Sequence, residues 1–201
     1  MTARRIGWLA ALVSLCGGCL FHDAPPPRYY APPSALERAD DPAPVPSRSA
    51  RPLRVRHVYA AAYLTEQIVW RTSDVEYGLY EQRRWTDFPS RYLQRTLVQA
   101  LDRTADVRRV ATGAVPTLDV ELVAFDEVLA PTHEAAVAAV ATLRTADQAA
   151  IFDRTFAARR PISDDTPSAV ARAMGAALDE VVGQIATEVG AQLPQTPARS
   201  R

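Results

Sequence analysis

Seven short stretches of the chain have the alternating or continuously apolar pattern of β-strands. In the first of them, Leu53 and Val55 alternate with Arg54 and Arg56. Thr72-Ser73-Asp74 has turn chemistry and separates the second stretch from the third, so we expect these two to form a hairpin. The seven predicted strands lie at residues 53–58, 67–71, 75–80, 107–110, 117–129, 134–145 and 150–157.

The stretch at residues 134–145 allows two interpretations. Its many alanines favour a helix. Its length and its position after a long strand suit a strand that pairs back on its predecessor through residues 130–133. We predict the strand.

Two longer stretches have the apolar spacing of amphipathic helices. The first runs from about residue 88 to 104, with Asp87 placed to cap it and Pro89 in its first turn. Thr166 caps the second, which begins at Pro167 and continues to about residue 193. The predicted buried positions are Leu93, Leu97, Ala100, Leu101 and Thr104 in the first helix and Val170, Met174, Ala177, Leu178, Val181, Ile185, Val189 and Leu193 in the second.

The order of these elements predicts an α+β fold. We expect an antiparallel sheet of about five to seven strands with two long helices packed on one face, because this arrangement buries the apolar face of every element.

The N-terminus has the pattern of a bacterial lipoprotein signal. Arg4 and Arg5 precede an uncharged run at residues 6–16, followed by small residues and Cys19. We predict a signal peptide over residues 1–18 and a lipid on Cys19. Cys16 is the alternative acceptor, but the bulky Leu15 before it disfavours cleavage there.

Nine of the 16 prolines lie between residues 20 and 52, which predicts a tether without regular strand or helix over residues 19–52. A docking site for a partner is the alternative interpretation of this segment. Residues 53–193 then form one α+β domain, and residues 194–201 form a disordered tail.

The composition excludes several classes of function. Both cysteines lie in the N-terminal segment, so the domain has neither a disulfide nor a thiolate site. Basic and acidic residues number 23 each, without a basic cluster, which argues against nucleic acid as a partner. The three histidines lack metal-ligand spacing, and no phosphate-binding glycine loop or nucleophile elbow is present. Asp119 and Glu121 share one face of a strand, most simply the solvated one. We therefore predict no catalytic residue, no metal and no cofactor.

Residues 62–101 resemble the auxiliary lipoprotein component of ABC-type transport systems, the family that includes paraquat-inducible protein C. The matching positions are Tyr63-Leu64, Ile68-Val69, Arg71, Tyr77, Tyr80, Arg84-Trp85 and Pro89. Tyr29-Tyr30 stands where the family often opens its first strand, and Ala31-Pro32-Pro33 follows, so we expect that strand to be short or absent here.

The resemblance implies a non-enzymatic lipoprotein of the outer membrane that faces the periplasm. Its expected partners are an ABC permease and ATPase and a protein with a mammalian-cell-entry (MCE) domain, in a system that transports lipid. Leu20 after the cysteine favours the outer over the inner membrane. Direct contact with phospholipid and assembly into a homo-oligomer stay open. The alternative is an assembly or regulatory lipoprotein that reaches a cell-wall synthase or an outer-membrane channel.

Five residues of the resembling segment are candidates for a surface that binds lipid or a partner. Tyr77, Tyr80 and Trp85 combine an apolar body with a polar tip, and Arg71 and Arg84 suit phosphate headgroups. The competing interpretation is structural: Trp85 packs under the first helix, and the two arginines pair with acidic residues of neighbouring strands.

Overall fold

The fold is taken from a computed structural model, which describes residues 25–38, 45, 47 and 49–194. The predicted signal peptide, Cys16, Cys19 and residues 195–201 lie outside the described residues. Every strand and helix predicted from the sequence is present. The elements are β1 (Arg28–Tyr30), α1 (Ala35–Arg38), β2 (Arg51–Ala60), β3 (Gln67–Arg71), β4 (Tyr77–Trp85), α2 (Pro89–Asp102), β5 (Val107–Arg109), β6 (Thr117–Val128), β7 (Glu134–Arg144), β8 (Ala150–Pro161) and α3 (Pro167–Gln192).

The fold is α+β as predicted, but the sheet is mixed, so the expected antiparallel sheet of about five to seven strands is only partly matched. Within the described residues it has eight strands, with four parallel and three antiparallel pairings. One edge of the long β6 pairs with β2 along its first half and with β3 along its last residues, both parallel. The connection from β3 to β6 runs through β4, α2 and β5, and a connection of this length allows two strands to lie parallel, which a tight hairpin cannot.

The other edge of β6 starts a regular antiparallel meander. β6 pairs with β7 from Thr117–Arg144 to Val128–Glu134, and β7 pairs with β8 along its whole length. The alanine-rich stretch is therefore a strand, as predicted. Its inward side chains, Ala135, Val137, Ala139, Ala141 and Leu143, are buried. Small side chains suit this position because α3 packs directly over β7 and β8.

The two long helices pack against each other and against the sheet, which confirms that part of the prediction. Thr166 caps α3, since its hydroxyl oxygen accepts the Ala169 N–H at 3.2 Å. The prediction that Asp87 caps α2 is wrong. Phe88 occupies the cap position, and the Asp87 carboxylate accepts the Phe88 N–H and pairs with Arg95 at 2.8 Å.

The segment expected to be a tether contributes to the domain. β1 adds a parallel strand beside the end of β4, so the short family-like strand is present. The Ser34 hydroxyl and the Ala35 N–H then donate to the Asp179 carboxylate of α3 at 2.6 and 2.7 Å. The expectation that residues 19–52 lack regular strand and helix is therefore wrong for β1, for α1 and for the first two residues of β2. The prolines at residues 25–27 and 32–33 flank β1 and leave its three residues able to pair at the edge of the sheet.

The core lies between the sheet and the two helices. It includes Trp85, Phe125, Leu118, Leu178 and Ile185, each at most 1% exposed. Arg51 closes the end of α3, where its guanidinium donates to the carbonyls of Gly190 and Leu193 at 2.6 and 2.5 Å. None of the helices within the described residues is both long enough and apolar enough to cross a membrane.

Candidate functional site

An apolar groove lies on β3 and β4, on the face of the sheet that the helices leave open. The register of the strands identifies this face. Val69 pairs with Leu79 and with Asp126, so these three side chains point the same way. Asp126 alternates with the core residue Phe125, so that direction is away from the core. The groove has a volume of about 420 Å³. It is lined by Tyr63, Thr65, Gln67, Val69, Tyr77, Gly78 and Leu79.

Two tyrosines form one wall of the groove. The rings of Tyr63 and Tyr77 meet edge to face with their centroids 5.6 Å apart. Both rings remain accessible, with 38% and 49% of their surface exposed, and the neighbouring Leu79 is 46% exposed. Such a wall combines apolar ring faces with hydroxyl groups that can meet water or a polar headgroup.

A buried acid lies beside this wall. Asp126 is 1% exposed, and its carboxylate is 3.6 Å from the guanidinium of Arg71, which also pairs with Asp74 at 2.9 Å. Burial raises the pKa of Asp126, and the charge of Arg71 offsets only part of that effect. Burial also raises the pKa of Tyr63, to which the negative charge of Asp126 adds. The Tyr63 hydroxyl donates to the Val123 carbonyl at 2.9 Å, so the ring is fixed in place.

A second polar cluster lies on the opposite face of the same strands. Glu127 is 3% exposed, and its carboxylate contacts the His133 imidazole at 2.8 Å. Burial raises the pKa of Tyr80 to about 12, and Glu127 adds to this effect. The guanidinium of Arg83 lies 4.3 Å above the Tyr80 ring. Asp126 and Glu127 follow one another along β6, but they point to opposite faces and do not form a carboxylate pair.

The structure separates the five surface candidates. Tyr77 lines the groove, and Arg71 lies beside it. Tyr80 points to the other face. Arg84 is in register with Gln67 of β3 and Tyr29 of β1, and within the described residues it forms no ion pair. Trp85 is in the core.

Two of the competing interpretations can now be settled. Trp85 is 1% exposed and meets Phe125 edge to face with ring centroids 5.4 Å apart, so it belongs to the core and leaves the candidate binding surface. The predicted pairing of Arg71 with a nearby acid is confirmed by Asp74, whereas the equivalent pairing of Arg84 is wrong. On the solvated face of β6, Asp119 pairs with Arg56 at 3.2 Å.

Of the seven residues that line the groove, sequence reasoning named only Tyr77 as a candidate, and it missed the acid beside them. Tyr63 and Val69 are matching positions of the resembling segment, and Leu79 alternates with Tyr77 on β4, so these three carried a signal. Asp126 did not, because its contact with Val69 depends on the parallel pairing of β3 with β6. Among the described residues, no group of three or more His, Cys, Asp or Glu is arranged to hold a metal ion. The arrangement suits an apolar or amphipathic ligand, or an apolar surface of a partner.

Comparisons with known proteins identify the family of the chain and relatives of its fold. A family model described as an ABC-type transport auxiliary lipoprotein component matches residues 35–186. A crystal structure of a Xanthomonas campestris protein of the DUF330 family has 24% sequence identity and a TM-score of 0.70, covering 82% of this chain and 96% of that one. An uncharacterized protein has 19% identity and a TM-score of 0.64, covering 82% of this chain and 99% of the other.

A hypothetical protein of Chlamydia trachomatis has a TM-score of 0.50 at 8% identity, over 72% of this chain and 98% of that one. At these identities, the three structures establish a shared fold. No curated protein sequence matches the chain.

Proposed function

Because the chain belongs to the family of ABC-type transport auxiliary lipoprotein components, we propose that it serves a lipid-transporting ABC system as a non-enzymatic, outer-membrane-anchored subunit. Its partners in this proposal are the permease, the ATPase and an MCE-domain protein. The observation that carries the proposal is the family match over residues 35–186, which includes every strand from β2 to β8 and most of α3.

The N-terminal sequence supports the anchored location. Residues 1–18 read as a cleaved signal, and Cys19 reads as the acylated residue. One acyl chain binds a membrane only marginally, whereas the two or more that lipoproteins carry hold firmly. The anchor keeps the subunit close to its partner in the periplasm, which raises their effective concentration for each other. Tight intrinsic binding is therefore not needed. Leu20 after the cysteine favours the outer membrane.

The groove supplies the contact surface in this proposal. Of the surface candidates predicted from the sequence, Tyr77 in the groove and Arg71 beside it remain. The structure adds Tyr63, Leu79 and Val69. Its apolar lining suits the acyl chains of lipid, and the Arg71 guanidinium stands nearby, largely neutralised by Asp74 and Asp126. Tyr80 and Arg84 lie outside the groove and leave the proposed surface.

The first experiment tests the anchor. Cys19→Ser should abolish incorporation of labelled palmitate and release the chain from envelope membranes, whereas Cys16→Ser should retain both because residue 16 leaves with the signal peptide. Retention of label in Cys19→Ser together with its loss in Cys16→Ser would move the acceptor to Cys16.

The second experiment tests the partners. Affinity purification of the tagged chain from solubilised membranes should recover the MCE protein, the permease and the ATPase. Recovery of a cell-wall synthase or an outer-membrane channel without any transporter subunit would favour the alternative role in envelope assembly.

A further inference from the structure

β1 fixes the direction from which the N-terminal segment reaches the domain. It runs parallel to β4, with Arg28 beside Arg83 and Tyr30 beside Trp85. Since β4 begins at Tyr77, the chain before Arg28 points towards the turn between β3 and β4. Within the described residues, the edge of β4 from residue 77 to 82 has no strand beside it.

The distance from the predicted anchor to β1 is short. Cys19 lies nine residues before Arg28, which a fully extended chain spans in about 30 Å. Pro25, Pro26 and Pro27 come directly before β1, and consecutive prolines favour a stiff, extended path. Asp74 likewise lies nine residues before Arg83, so a chain that continued along β4 in the same register would bring Cys19 level with Asp74.

Exposed apolar side chains gather at the same end of the sheet. Val75 is 91% exposed, and Tyr77 and Leu79 are about half exposed. Leu129 lies beside them at the end of β6, with its N–H donating to the Arg71 carbonyl at 2.8 Å. Four such residues in one place form an apolar patch of the kind that marks a membrane or protein contact.

The charges at this end are satisfied locally. Asp74 pairs with Arg71, and the Glu76 carboxylate accepts the Thr72 hydroxyl. At the neighbouring ends of β6 and β7, Glu127 pairs with His133, and Glu134 lies 3.5 Å from Arg159. The chain contains no lysine. Among the described residues, Arg71 and Arg159 at this end both pair with acids, so its apolar side chains suit a zwitterionic lipid surface better than an anionic one.

We propose that Val75, Tyr77, Leu79 and Leu129 rest on the membrane that holds the lipid anchor, with Val75 and Tyr77 in its interfacial layer. This inference depends on the proposed acylation of Cys19 and extends it by naming membrane lipid as what this end of the sheet faces. The opposite end, with the exposed turn between β7 and β8 at residues 145–149, then points away from the membrane.

Site-directed fluorescence tests this orientation in the acylated chain. After signal cleavage and acylation the mature chain has no free thiol, because Cys16 is removed and the Cys19 sulfur is in a thioether. Val75→Cys and the control Asp147→Cys, in the turn between β7 and β8, each give a single site for a bimane label. The protein is reconstituted into phosphatidylcholine vesicles with and without lipid that carries a doxyl quencher.

We expect lipid-borne quenching at position 75 to exceed that at position 147 by about threefold or more, since an interfacial group lies roughly 5–10 Å into the headgroup boundary. Addition of phosphatidylglycerol should not increase it. Tyr77→Cys should behave like Val75→Cys. Equal quenching at 75 and 147, or stronger quenching at 147, would overturn the orientation.

The mass of the N-terminal peptide from the same preparation distinguishes a failure of the proposed orientation from a failure of the proposed anchor. An acylated peptide together with equal quenching rejects the orientation alone. An unmodified peptide would reject the proposed anchor and, with it, this inference.

Discussion

The two halves of the sheet differ in how they are built. The half formed by β6, β7 and β8 has strands of 11 or 12 residues in nearly continuous register, covered by α3. The half formed by β1, β3 and β4 has shorter strands, a shifted register between Gln67 and Val69 and an apolar groove, and it contacts the buried Asp126 where β3 pairs with β6. We infer that the first half supplies stability and that the second half supplies the contact surface.

This contrast follows the general relation between burial and function. Fully packed strands with satisfied backbone bonds contribute to the free energy of folding and change little when a ligand arrives. Exposed apolar groups at a sheet edge contribute little to that free energy. Because one side of them faces water, they mark a surface that can bind lipid or a partner. The predictions below test this division, beginning with the largest expected effect.

A matched pair of leucine substitutions tests it most directly. Leu178 of α3 is 1% exposed, so Leu178→Ala should lower the free energy of unfolding by about 2–5 kcal/mol. Leu79 of β4 is 46% exposed, so Leu79→Ala should cost less than about 0.5 kcal/mol. Urea unfolding followed by circular dichroism measures both. Similar losses for the two variants would remove the distinction between the halves.

A matched pair of glycines in α3 tests how the N-terminal segment is held. A Cβ on Gly175 would lie 2.1 Å from the Pro33 carbonyl oxygen, so Gly175→Ala should cost about 2–3 kcal/mol or displace the segment. Gly183 has no atom within 4 Å of its Cβ position, so Gly183→Ala should stabilise the chain by up to about 1 kcal/mol. Unfolding measurements give the change in stability of each variant, and the rate of proteolysis at Arg28 reports whether the N-terminal segment is displaced. Unchanged protection of Arg28 and unchanged stability in Gly175→Ala would contradict the close contact.

The regular half was predictable from sequence, because local patterns determine it. The apolar spacing of α3 and its Thr166 cap gave both ends of the helix to within a residue. The alternation in β6 and β7 gave their pairing, although the alanines of β7 favoured a helix by propensity alone. In that strand, tertiary packing under α3 decides the conformation.

The contact half was only partly predictable. The hairpin of β3 and β4 and the exposure of Tyr77 followed from residue patterns. The parallel contact of β3 with β6 did not, since it depends on residues more than fifty positions apart. Without that contact, the burial of Asp126 could not be foreseen, although its separation from Glu127 follows from the alternation of β6. The resemblance left β1 as a short or absent strand, and the prolines on both sides of it indicated a tether.

Gly78 tests the packing within the contact half. A Cβ there would lie 2.1 Å from the Trp70 ring, so Gly78→Ala should displace that side chain at a cost of about 1 kcal/mol. Trp70 is half-buried and Trp85 is fully buried, so the displacement should increase the quenching of tryptophan fluorescence by acrylamide. In the control Gly190→Ala the added Cβ would make only an ordinary contact at 3.5 Å, so quenching should not change. Equal quenching in both variants would mean that the Trp70 ring does not need the space above Gly78.

The smallest expected effect concerns the buried acid. Burial raises the pKa of Asp126 in the folded state above its ordinary value, so the folded chain binds this proton more tightly than the unfolded chain. The side chain therefore favours folding when protonated, and this contribution is lost as pH rises through the folded pKa. Asp126→Asn removes the titration.

Asp126→Asn should accordingly have a higher free energy of unfolding than the natural chain near neutral pH. This difference should shrink as pH falls towards 3.8, the ordinary pKa of the group. Urea unfolding across this range measures it. Asp119→Asn, on the same strand and partly exposed, corrects for the loss of one carboxylate. If the natural chain instead gained on Asp126→Asn as pH rose, the Arg71 pair would outweigh burial. Arg71 of β3 would then form a stabilising ion pair with Asp126 of β6, and the pairing between the contact half and the regular half would gain stability from it.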